Sequence, residues 1–409
     1  MSQSLTLSHP TGAIHASIKL PASKSEANRA LIISALSGGA SELKNLSEAN
    51  DTQLLQRLLK SDSETIDAED AGTVMRFLTA YYAVTGQQKT LTGTDRMCQR
   101  PIKVLVDALR ELGASIIYLG KEGYPPLKIE AFKGSGKKHL SVRSDISSQY
   151  ISALLMVAPL LPDGLVLELV GKIGSKPYID MTLSLMKHFG VMASFEENTI
   201  TVPHQKYKPA SFQVESDWSA ASYWYSMVAL AKEAEVTLLG LKKDSYQGDS
   251  AIVEIMDHLG VYTTFTEEGV NLTKKHCERH LVYDFSDCPD LAQTIVALCA
   301  GLGVTLEITG LESLRIKETD RIHALQIELL SMGSKLEEIT PGVFRMEPGI
   351  ISKENFEFRT YQDHRMAMAF APLALLSPTK IQEPSVVRKS YPRFWEDLEK
   401  AGFEIKYNN

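Results

Sequence analysis

The sequence predicts an α/β fold of two similar domains, each built from three copies of a short α+β unit. Amphipathic helical patterns that each end in a glycine recur at intervals of about 70 residues. A second series of helices, apolar on almost every side, interleaves with the first. The length of 409 residues also exceeds what one hydrophobic core usually holds, which favours two domains.

The sequence marks where each amphipathic helix ends. Their terminal glycines, which are typical of helix C-caps, are Gly113, Gly190, Gly260, Gly333 and Gly402. Alternating residues that predict a strand follow each glycine, at 115–118, 192–195, 262–265, 335–338 and 404–407. In most copies a polar or glycine-containing turn and a further strand come next. A weaker copy without the glycine, at residues 51–60, brings the number of units to six.

The apolar helices have almost no polar face, so we expect them to be buried. They cover residues 30–36, 74–82, 150–158, 220–228, 291–298 and 366–373. Each unit therefore pairs one buried helix with one solvent-facing helix.

Three units fit one domain of roughly 200 residues. We expect the boundary near Ser216 and Asp217, where the fourth unit begins. One domain then comprises residues 21–216, and the other comprises residues 1–20 plus 217–409, with the N-terminal strand returning to the second domain. No low-complexity linker separates them, which predicts a short hinge.

Composition restricts the possible partners. The net charge of −7 argues against a nucleic-acid-binding protein, which would normally carry a basic surface. The sequence contains no uninterrupted apolar stretch long enough to predict a membrane span, and it shows no basic-then-apolar leader of the kind that predicts secretion. The four cysteines show no C-x-x-C spacing and are expected to be free thiols in the cytoplasm. We expect a monomer that binds small phosphorylated or carboxylated metabolites.

The sequence LRIKETDR at residues 314–321 is the strongest local indication of chemistry. It precedes an amphipathic pattern, so we expect it in the first turn of a helix, with Lys317 and Arg321 on one face and Glu318 beside them. Two cations at a helix N-terminus suit an anionic ligand, and a carboxylate among them could carry a proton. An exposed, salt-bridged helix start is the alternative interpretation.

Polar residues also precede each apolar helix. Ser, Thr and Asp there are explained by capping, but Lys24, Arg29, His364 and Arg365 are not, because cations oppose the positive end of the helix dipole unless an anion is bound. If the helix ends converge on an interdomain cleft, they form a cationic pocket in an acidic protein. Its members would be Lys24, Arg29, Arg100, Lys317, Arg321, Arg365 and Lys389.

These motifs together resemble the 5-enolpyruvylshikimate-3-phosphate synthase family over nearly the whole chain. The matching sequences are PASKSEANRA at 21–30, AGTVMR at 71–76, LTG at 91–93, RM at 96–97, RP at 100–101, SSQ at 147–149, SKPYID at 175–180, RIKETDR at 315–321, DHRMAM at 363–368 and KSYP at 389–392. The resemblance implies two inverted α/β domains, each of three βαβαββ-type units, with the active site in the interdomain cleft. It places shikimate 3-phosphate on the side of residues 21–216 and phosphoenolpyruvate on the other.

The resemblance implies transfer of the enolpyruvyl group of phosphoenolpyruvate to the 5-hydroxyl of shikimate 3-phosphate, through a tetrahedral adduct and with no metal or cofactor. Asp290, with Lys24, would take the hydroxyl proton. Glu318 would protonate the methylene carbon, which requires a raised pKa, and His364 would assist.

The ligand contacts implied by the resemblance form two sets. For phosphoenolpyruvate they are Lys24, Gly72, Arg100, Gln149, Arg321, Arg365 and Lys389. For shikimate 3-phosphate they are Lys24, Ser25, Arg29, Ser147, Ser148, Gln149, Ser175, Tyr178, Asp290, Ser313 and Lys317. Ser25 and Arg29 would bind the shikimate carboxylate.

The chain departs from the family pattern at a few positions. Glu69 and Asp70 replace Gly-Asn, Phe77 replaces Pro, and Ser313 with Leu314 replaces Asn-Trp. Gly72 matches the family glycine that leaves room for glyphosate, so we expect inhibition by that compound. The alternative is the sister enzyme that transfers enolpyruvyl to UDP-N-acetylglucosamine with a loop cysteine, for which Cys98 is the candidate.

Overall fold

The computed structural model describes residues 4–143, 147–350 and 354–408. Within these residues the chain divides into two compact units. The terminal unit comprises the described parts of Met1–Ala22, Glu48–Asn50 and Glu215–Asn409. The central unit comprises the described parts of Ser23–Ser47 and Asp51–Val214.

The elements run in chain order as follows. The first are β1 (Ser4–Ser8), β2 (Ala13–Lys19), α1 (Lys24–Leu36), β3 (Glu42–Lys44), α2 (Asn50–Leu58), β4 (Thr65–Asp67), α3 (Gly72–Thr85), β5 (Lys89–Thr92), α4 (Lys103–Glu111), β6 (Ala114–Tyr118) and β7 (Leu127–Phe132). Next are β8 (His139–Arg143), α5 (Ser148–Val157), β9 (Leu165–Val170), α6 (Lys176–His188), β10 (Ser194–Glu196), β11 (Thr199–Val202) and β12 (Ser211–Gln213).

The remaining elements follow the return of the chain to the terminal unit. They are α7 (Trp218–Leu230), β13 (Glu233–Leu239), α8 (Ile252–His258), β14 (Leu259–Phe265), β15 (Gly269–Cys277), β16 (His280–Asp284), α9 (Ala292–Leu302), β17 (Thr305–Thr309), α10 (Arg321–Ser331), β18 (Lys335–Thr340), β19 (Val343–Glu347), β20 (Phe356–Phe358), α11 (His364–Phe370), β21 (Thr379–Gln382), α12 (Phe394–Lys400) and β22 (Glu404–Asn408). Short 3₁₀ helices include Gly248–Ala251, Pro289–Leu291, Glu312–Ile316 and Pro384–Lys389.

Among the described residues, five four-stranded sheets share one topology. In the order β4-β5-β7-β6, the first pair is parallel and the other two pairs are antiparallel. The same pattern recurs in the sheets β8-β9-β11-β10, β2-β13-β15-β14, β16-β17-β19-β18 and β20-β21-β1-β22. The sixth copy consists of the parallel pair β12 and β3 with helices α1 and α2. The predicted six-unit α/β fold is therefore confirmed, and in the described part of the chain the weaker copy has two strands.

The terminal unit is closed by its own N-terminal strands. β1 pairs between β21 and β22, and β2 pairs in parallel with β13. The central unit is thus inserted between strands of one sheet, since α1 follows β2 directly and β13 comes much later.

The apolar helices are buried, as their composition predicts. In α7 every residue except Ser219 is buried, and Trp218 and Trp224 have no exposed surface. The glycines that end the amphipathic helices all adopt positive φ, from 77° at Gly333 to 103° at Gly113, where a side chain would be strained.

Candidate active site

Arg321 is the centre of a buried charge cluster in the terminal unit. Its side chain is 2% exposed and contacts three carboxylates. Nε donates to Asp363 Oδ2 at 2.7 Å, Nη1 to Asp290 Oδ1 at 2.9 Å, and Nη2 to Glu318 Oε2 at 3.1 Å. The three acids raise the pKa of Arg321 although burial opposes this, so the guanidinium is a permanent cation that holds both candidate proton carriers.

Asp290 faces further cations besides Arg321. Arg365 Nη2 lies 3.0 Å from Oδ2, and Lys317 Nζ lies 3.9 Å from Oδ1. Burial by itself would raise the pKa of Asp290, but Arg365, Lys317 and Arg321 together hold it well below its ordinary value. Asp290 is therefore a carboxylate, the form that a general base requires.

Glu318 also lies between two cations. Its Oε2 accepts from Arg321, and its Oε1 lies 3.3 Å from Nζ of Lys389, which is itself buried. Burial lowers the pKa of neighbouring Lys317, whereas Asp290 raises it. The cations of this cluster are thus matched by the protein's own acids, and an incoming anion would compete with them.

Helix N-termini of the terminal unit bring these residues together. Asp290 lies in the 3₁₀ turn before α9, and Arg321 is the first residue of α10. Asp363 caps α11 by accepting from Arg365 N at 2.9 Å. His364 is buried in the same turn, with Nδ1 at 3.6 Å from Asp363 Oδ1. The repeated architecture therefore places the starts of successive helices in one cluster.

The predicted placement of residues 314–321 in the first turn of a helix is wrong. Helix α10 begins only at Arg321, because Asp320 caps it by accepting from His323 N at 3.1 Å. Lys317 is extended, with φ −82° and ψ −154°, so it does not share a helical face with Arg321. Both cations nevertheless reach Asp290, through loop geometry. Ser313 lies half-buried in the adjoining turn Glu312–Ile316.

Two residues that the sequence analysis did not assign join this cluster. Arg365 Nη2 donates to Ser219 Oγ at 3.3 Å, and the Ser219 hydroxyl donates to Asp249 Oδ2. Burial, and after it the charge of Asp290, raises the pKa of Asp249 to about 7. The available signal was that both residues stand at helix starts, in the sequences DWS at 217–219 and YQGD at 246–249.

In the central unit, Lys24 and Arg29 lie on α1. Lys24 Nζ donates to Asp51 Oδ2 at 3.1 Å, and Asp51 is buried at the start of α2. Arg29 is buried and donates to Thr182 Oγ1 at 2.8 Å, Ser152 Oγ at 3.0 Å and the Ser25 carbonyl at 3.0 Å. Burial lowers the pKa of Arg29 to about 10.

Arg100 lies against the start of α3. Its Nη1 donates to the Asp70 carbonyl at 3.4 Å, and a Cβ on Gly72 would be 2.7 Å from Nη2. Asp70 does not cap α3 with its side chain, because the N-cap residue is Ala71. Gln149 Nε2 donates to Thr73 Oγ1 at 3.3 Å, which joins the starts of α3 and α5.

The other predicted residues of the central unit lie at helix starts as well. Ser147 caps α5 by accepting from Gln149 N at 3.3 Å, and Ser148 is the first residue of that helix. Ser175 precedes α6 with φ 55°, and Tyr178 lies in the first turn of α6. All four of these side chains are half-exposed.

Cys98 is half-buried, with Sγ 3.7 Å from the Gly93 carbonyl. Across the described ranges, no three or more His, Cys, Asp or Glu side chains are grouped so that they could hold a metal ion. Nor does any described helix have the length and apolar character that a membrane crossing requires.

Comparison with known proteins adds sequence evidence. A profile of the family EPSP synthase (3-phosphoshikimate 1-carboxyvinyltransferase) matches residues 8–61 and 56–398. A 3-phosphoshikimate 1-carboxyvinyltransferase of Bacteroides fragilis (strain YCH46) is 52% identical over 397 residues, covering 96% of this chain and 97% of the relative. One of Sulfurovum sp. (strain NBC37-1) is 38% identical over 435 residues, covering 97% and 98%.

Solved structures share the fold. An EPSP synthase from Acinetobacter baumannii superposes with a TM-score of 0.79 at 20% identity, with 100% of both chains covered. The enolpyruvyl transferase NikO from Streptomyces tendae gives a TM-score of 0.73 at 13% identity, with 100% of this chain and 99% of the other covered.

Proposed function

The chain belongs to the EPSP synthase family, the 3-phosphoshikimate 1-carboxyvinyltransferases, and we propose from this premise how its residues perform the reaction. The enzyme transfers the enolpyruvyl group of phosphoenolpyruvate to the 5-hydroxyl of shikimate 3-phosphate and releases phosphate, a step of aromatic amino acid biosynthesis. The UDP-N-acetylglucosamine transferase alternative is not favoured by these relatives.

The observation that carries the mechanism is the position of two carboxylates among four cations. Asp290 and Glu318 are both held by Arg321, and Arg365, Lys317 and Lys389 surround them. Addition of the hydroxyl to phosphoenolpyruvate needs one group that removes a proton and one that delivers a proton to carbon. A pair of fixed carboxylates supplies both.

In the first step, the 5-hydroxyl loses its proton to Asp290 while its oxygen bonds to C2 of phosphoenolpyruvate. Glu318 delivers a proton to C3, which becomes a methyl group in the tetrahedral adduct. In the second step, phosphate leaves C2 while C3 returns a proton to the carboxylate of Glu318, which restores the double bond. His364, packed beside Asp363, assists in moving these protons.

Phosphoenolpyruvate is bound by Arg365, Lys389 and Arg321, with further contacts from Lys24, Gly72, Arg100 and Gln149. Arginine suits its carboxylate because the guanidinium offers two parallel donors. When the substrate anion pairs with the cations, their electrostatic interaction with Asp290 and Glu318 becomes weaker. Binding therefore strengthens the base and allows Glu318 to be protonated.

Shikimate 3-phosphate is bound by two groups of residues. Ser25 and Arg29 hold its carboxylate, whereas Ser147, Ser148, Ser175 and Lys317 hold its phosphate. Gln149, Tyr178, Asp290 and Ser313 contact the rest of the molecule, together with Lys24. Residues 21–216 form the shikimate 3-phosphate side of the site, and residues 1–20 plus 217–409 form the phosphoenolpyruvate side, although each side also supplies contacts to the other substrate. The enzyme acts as a cytoplasmic monomer.

The test is to mix the purified protein with shikimate 3-phosphate and phosphoenolpyruvate and to follow phosphate release. We expect release that depends on both substrates, with one enolpyruvyl product formed per phosphate. Release with UDP-N-acetylglucosamine in place of shikimate 3-phosphate, or none with either acceptor, would overturn the proposal.

A further inference from the structure

The guanidinium of Arg29 lies over two aromatic rings of the central unit. Its Cζ is 5.4 Å from the centre of the Phe77 ring and 5.6 Å from the centre of the Tyr178 ring. Phe77 belongs to α3 and is 1% exposed, and Tyr178 belongs to α6. Ring faces attract a guanidinium and restrict it to one plane. Residues of two helices, α3 and α6, therefore contact a side chain that starts from α1.

Hydrogen bonds fix the same guanidinium within that plane. Thr182 and Ser152 accept from Nε and Nη2, and their own oxygens lie 2.9 Å apart. The Ser25 carbonyl accepts from Nη1. Both hydroxyl residues are fully buried, so the acceptors cannot shift freely. The aromatic rings thus set the plane of the Arg29 guanidinium, and the hydrogen-bond acceptors set its orientation within that plane.

Three of the five N–H groups of Arg29 are used in these contacts. The other two, one on each terminal nitrogen, have no acceptor among the residues that the structure describes. Arginine binds a carboxylate in a bidentate manner with such a pair of N–H donors. Burial also lowers the pKa of Arg29 to about 10, so its charge would be better stabilised with an anion bound.

We propose that Phe77 is a positioning residue for shikimate 3-phosphate, because it holds Arg29 in the one orientation in which the two remaining N–H groups meet the substrate carboxylate. The inference rests on the proposed function, in which Arg29 binds that carboxylate. Phe77 touches no substrate itself. Its effect is confined to the acceptor substrate, because phosphoenolpyruvate does not contact Arg29 in this scheme.

The experiment compares Phe77→Leu with wild type. Leucine keeps an apolar side chain but has no ring face. We expect the KM for shikimate 3-phosphate to rise about 3- to 10-fold, while kcat and the KM for phosphoenolpyruvate stay within about twofold. Phe77→Tyr, which restores the ring, should return the KM to near the wild-type value. In an Arg29→Lys background, which lacks the paired donors, Phe77→Leu should have little further effect.

A matched control separates positioning from loss of packing. Phe189→Leu makes the same change at a buried phenylalanine beyond the other end of α6. It should lower the thermal midpoint without changing the KM for shikimate 3-phosphate. The methyl ester of shikimate 3-phosphate, which has no carboxylate charge, should bind wild type and Phe77→Leu equally in calorimetry.

The inference is wrong if Phe77→Leu leaves the KM for shikimate 3-phosphate unchanged. It is also wrong if Phe189→Leu raises that KM equally, or if binding of the methyl ester weakens as much as binding of the natural substrate. These results refute the inference when the wild-type protein itself catalyses the reaction. A wild-type protein that releases no phosphate would instead refute the proposed function.

Discussion

The guanidinium of Arg100 occupies the space that a side chain on Gly72 would need. A Cβ built on Gly72 would lie 2.7 Å from Nη2 and 2.8 Å from Nη1 of Arg100, closer than real Cβ contacts allow. Gly72 is the first residue of α3, so the cation sits at the positive end of a helix. That placement is stable when an anion is bound there, which fits a phosphate-binding role for Arg100.

Gly72→Ala should therefore push Arg100 away from the helix start. We expect the KM for phosphoenolpyruvate to rise about 10-fold or more, since a displaced guanidinium loses a charge-assisted hydrogen bond. Steady-state kinetics with varied phosphoenolpyruvate measure this. Gly120→Ala is the control, because a Cβ there meets only Pro126 at an ordinary 3.8 Å. An unchanged KM in Gly72→Ala would contradict the assignment of Arg100.

Glyphosate should inhibit the enzyme in competition with phosphoenolpyruvate, because Gly72 carries no side chain to exclude it. The measurement is the rate of phosphate release at rising glyphosate and several phosphoenolpyruvate concentrations. Normal turnover that persists in millimolar glyphosate would show that Glu69, Asp70 or Phe77 alters the pocket.

Asp290→Asn should abolish most turnover. The amide keeps the shape of the side chain but cannot accept a proton, and general-base groups contribute about 100- to 10,000-fold to a rate. We expect kcat to fall by about 100-fold or more, measured by phosphate release. Asp257→Asn, at an exposed ion pair with Lys275 in the same unit, should keep full activity. Wild-type kcat in Asp290→Asn would remove it from the mechanism.

Asp249 should make stability depend on pH. Burial and Asp290 raise its pKa from 3.8 to about 7. The folded state thus binds this proton more tightly than the unfolded chain, so the resulting stabilisation is fully present below about pH 4 and is lost as the pH rises to about 7. Asn at this position does not titrate. From pH 5 to pH 8, the free energy of unfolding of Asp249→Asn should therefore rise relative to wild type.

Urea denaturation of both proteins at the two pH values measures this difference. Asp257→Asn serves again as the control, since its carboxylate is exposed. A constant difference between Asp249→Asn and wild type would mean that Asp249 does not titrate in this range.

Cys98→Ser should leave kcat within about twofold of wild type, because the hydroxyl keeps the contact volume and no step of the proposed reaction uses a thiol. The same phosphate-release assay checks it. A loss of 100-fold or more would instead favour the cysteine-dependent sister reaction.

The fold could be predicted from the sequence because the same α+β unit recurs along the chain. Glycines such as Gly113 and Gly333 mark helix ends because only a residue without Cβ adopts their positive φ easily. Helices such as α7 are recognisable because a helix without a polar face must be buried. The two-strand form of the sixth copy was not predictable, because pairing of β12 with β3 joins strands far apart in the chain.

The candidate site was predictable only in residue type. Cations at helix starts indicated anion binding, and Lys24, Arg321 and Arg365 do lie in the first turns of α1, α10 and α11. Which acid each cation meets depends on tertiary packing, so the shared contact of Lys317 and Arg321 with Asp290 arises from an extended loop rather than a helical face. Ser219 and Asp249 resembled ordinary caps, and only the hydrogen bonds that lead from Arg365 through Ser219 to the buried Asp249 distinguish them.

The pairing of β1 between β21 and β22 has a consequence for biosynthesis on the ribosome. Ser4 is opposite Asn408, so β1 can pair with β21 and β22 only after the residues that lie between them in the chain have been synthesised. All residues of the central unit have been synthesised by then, so this unit can fold before β1 pairs with its partner strands. Arrest of the nascent chain before β21 should therefore yield a protease-resistant central unit with a cleavable N-terminal segment.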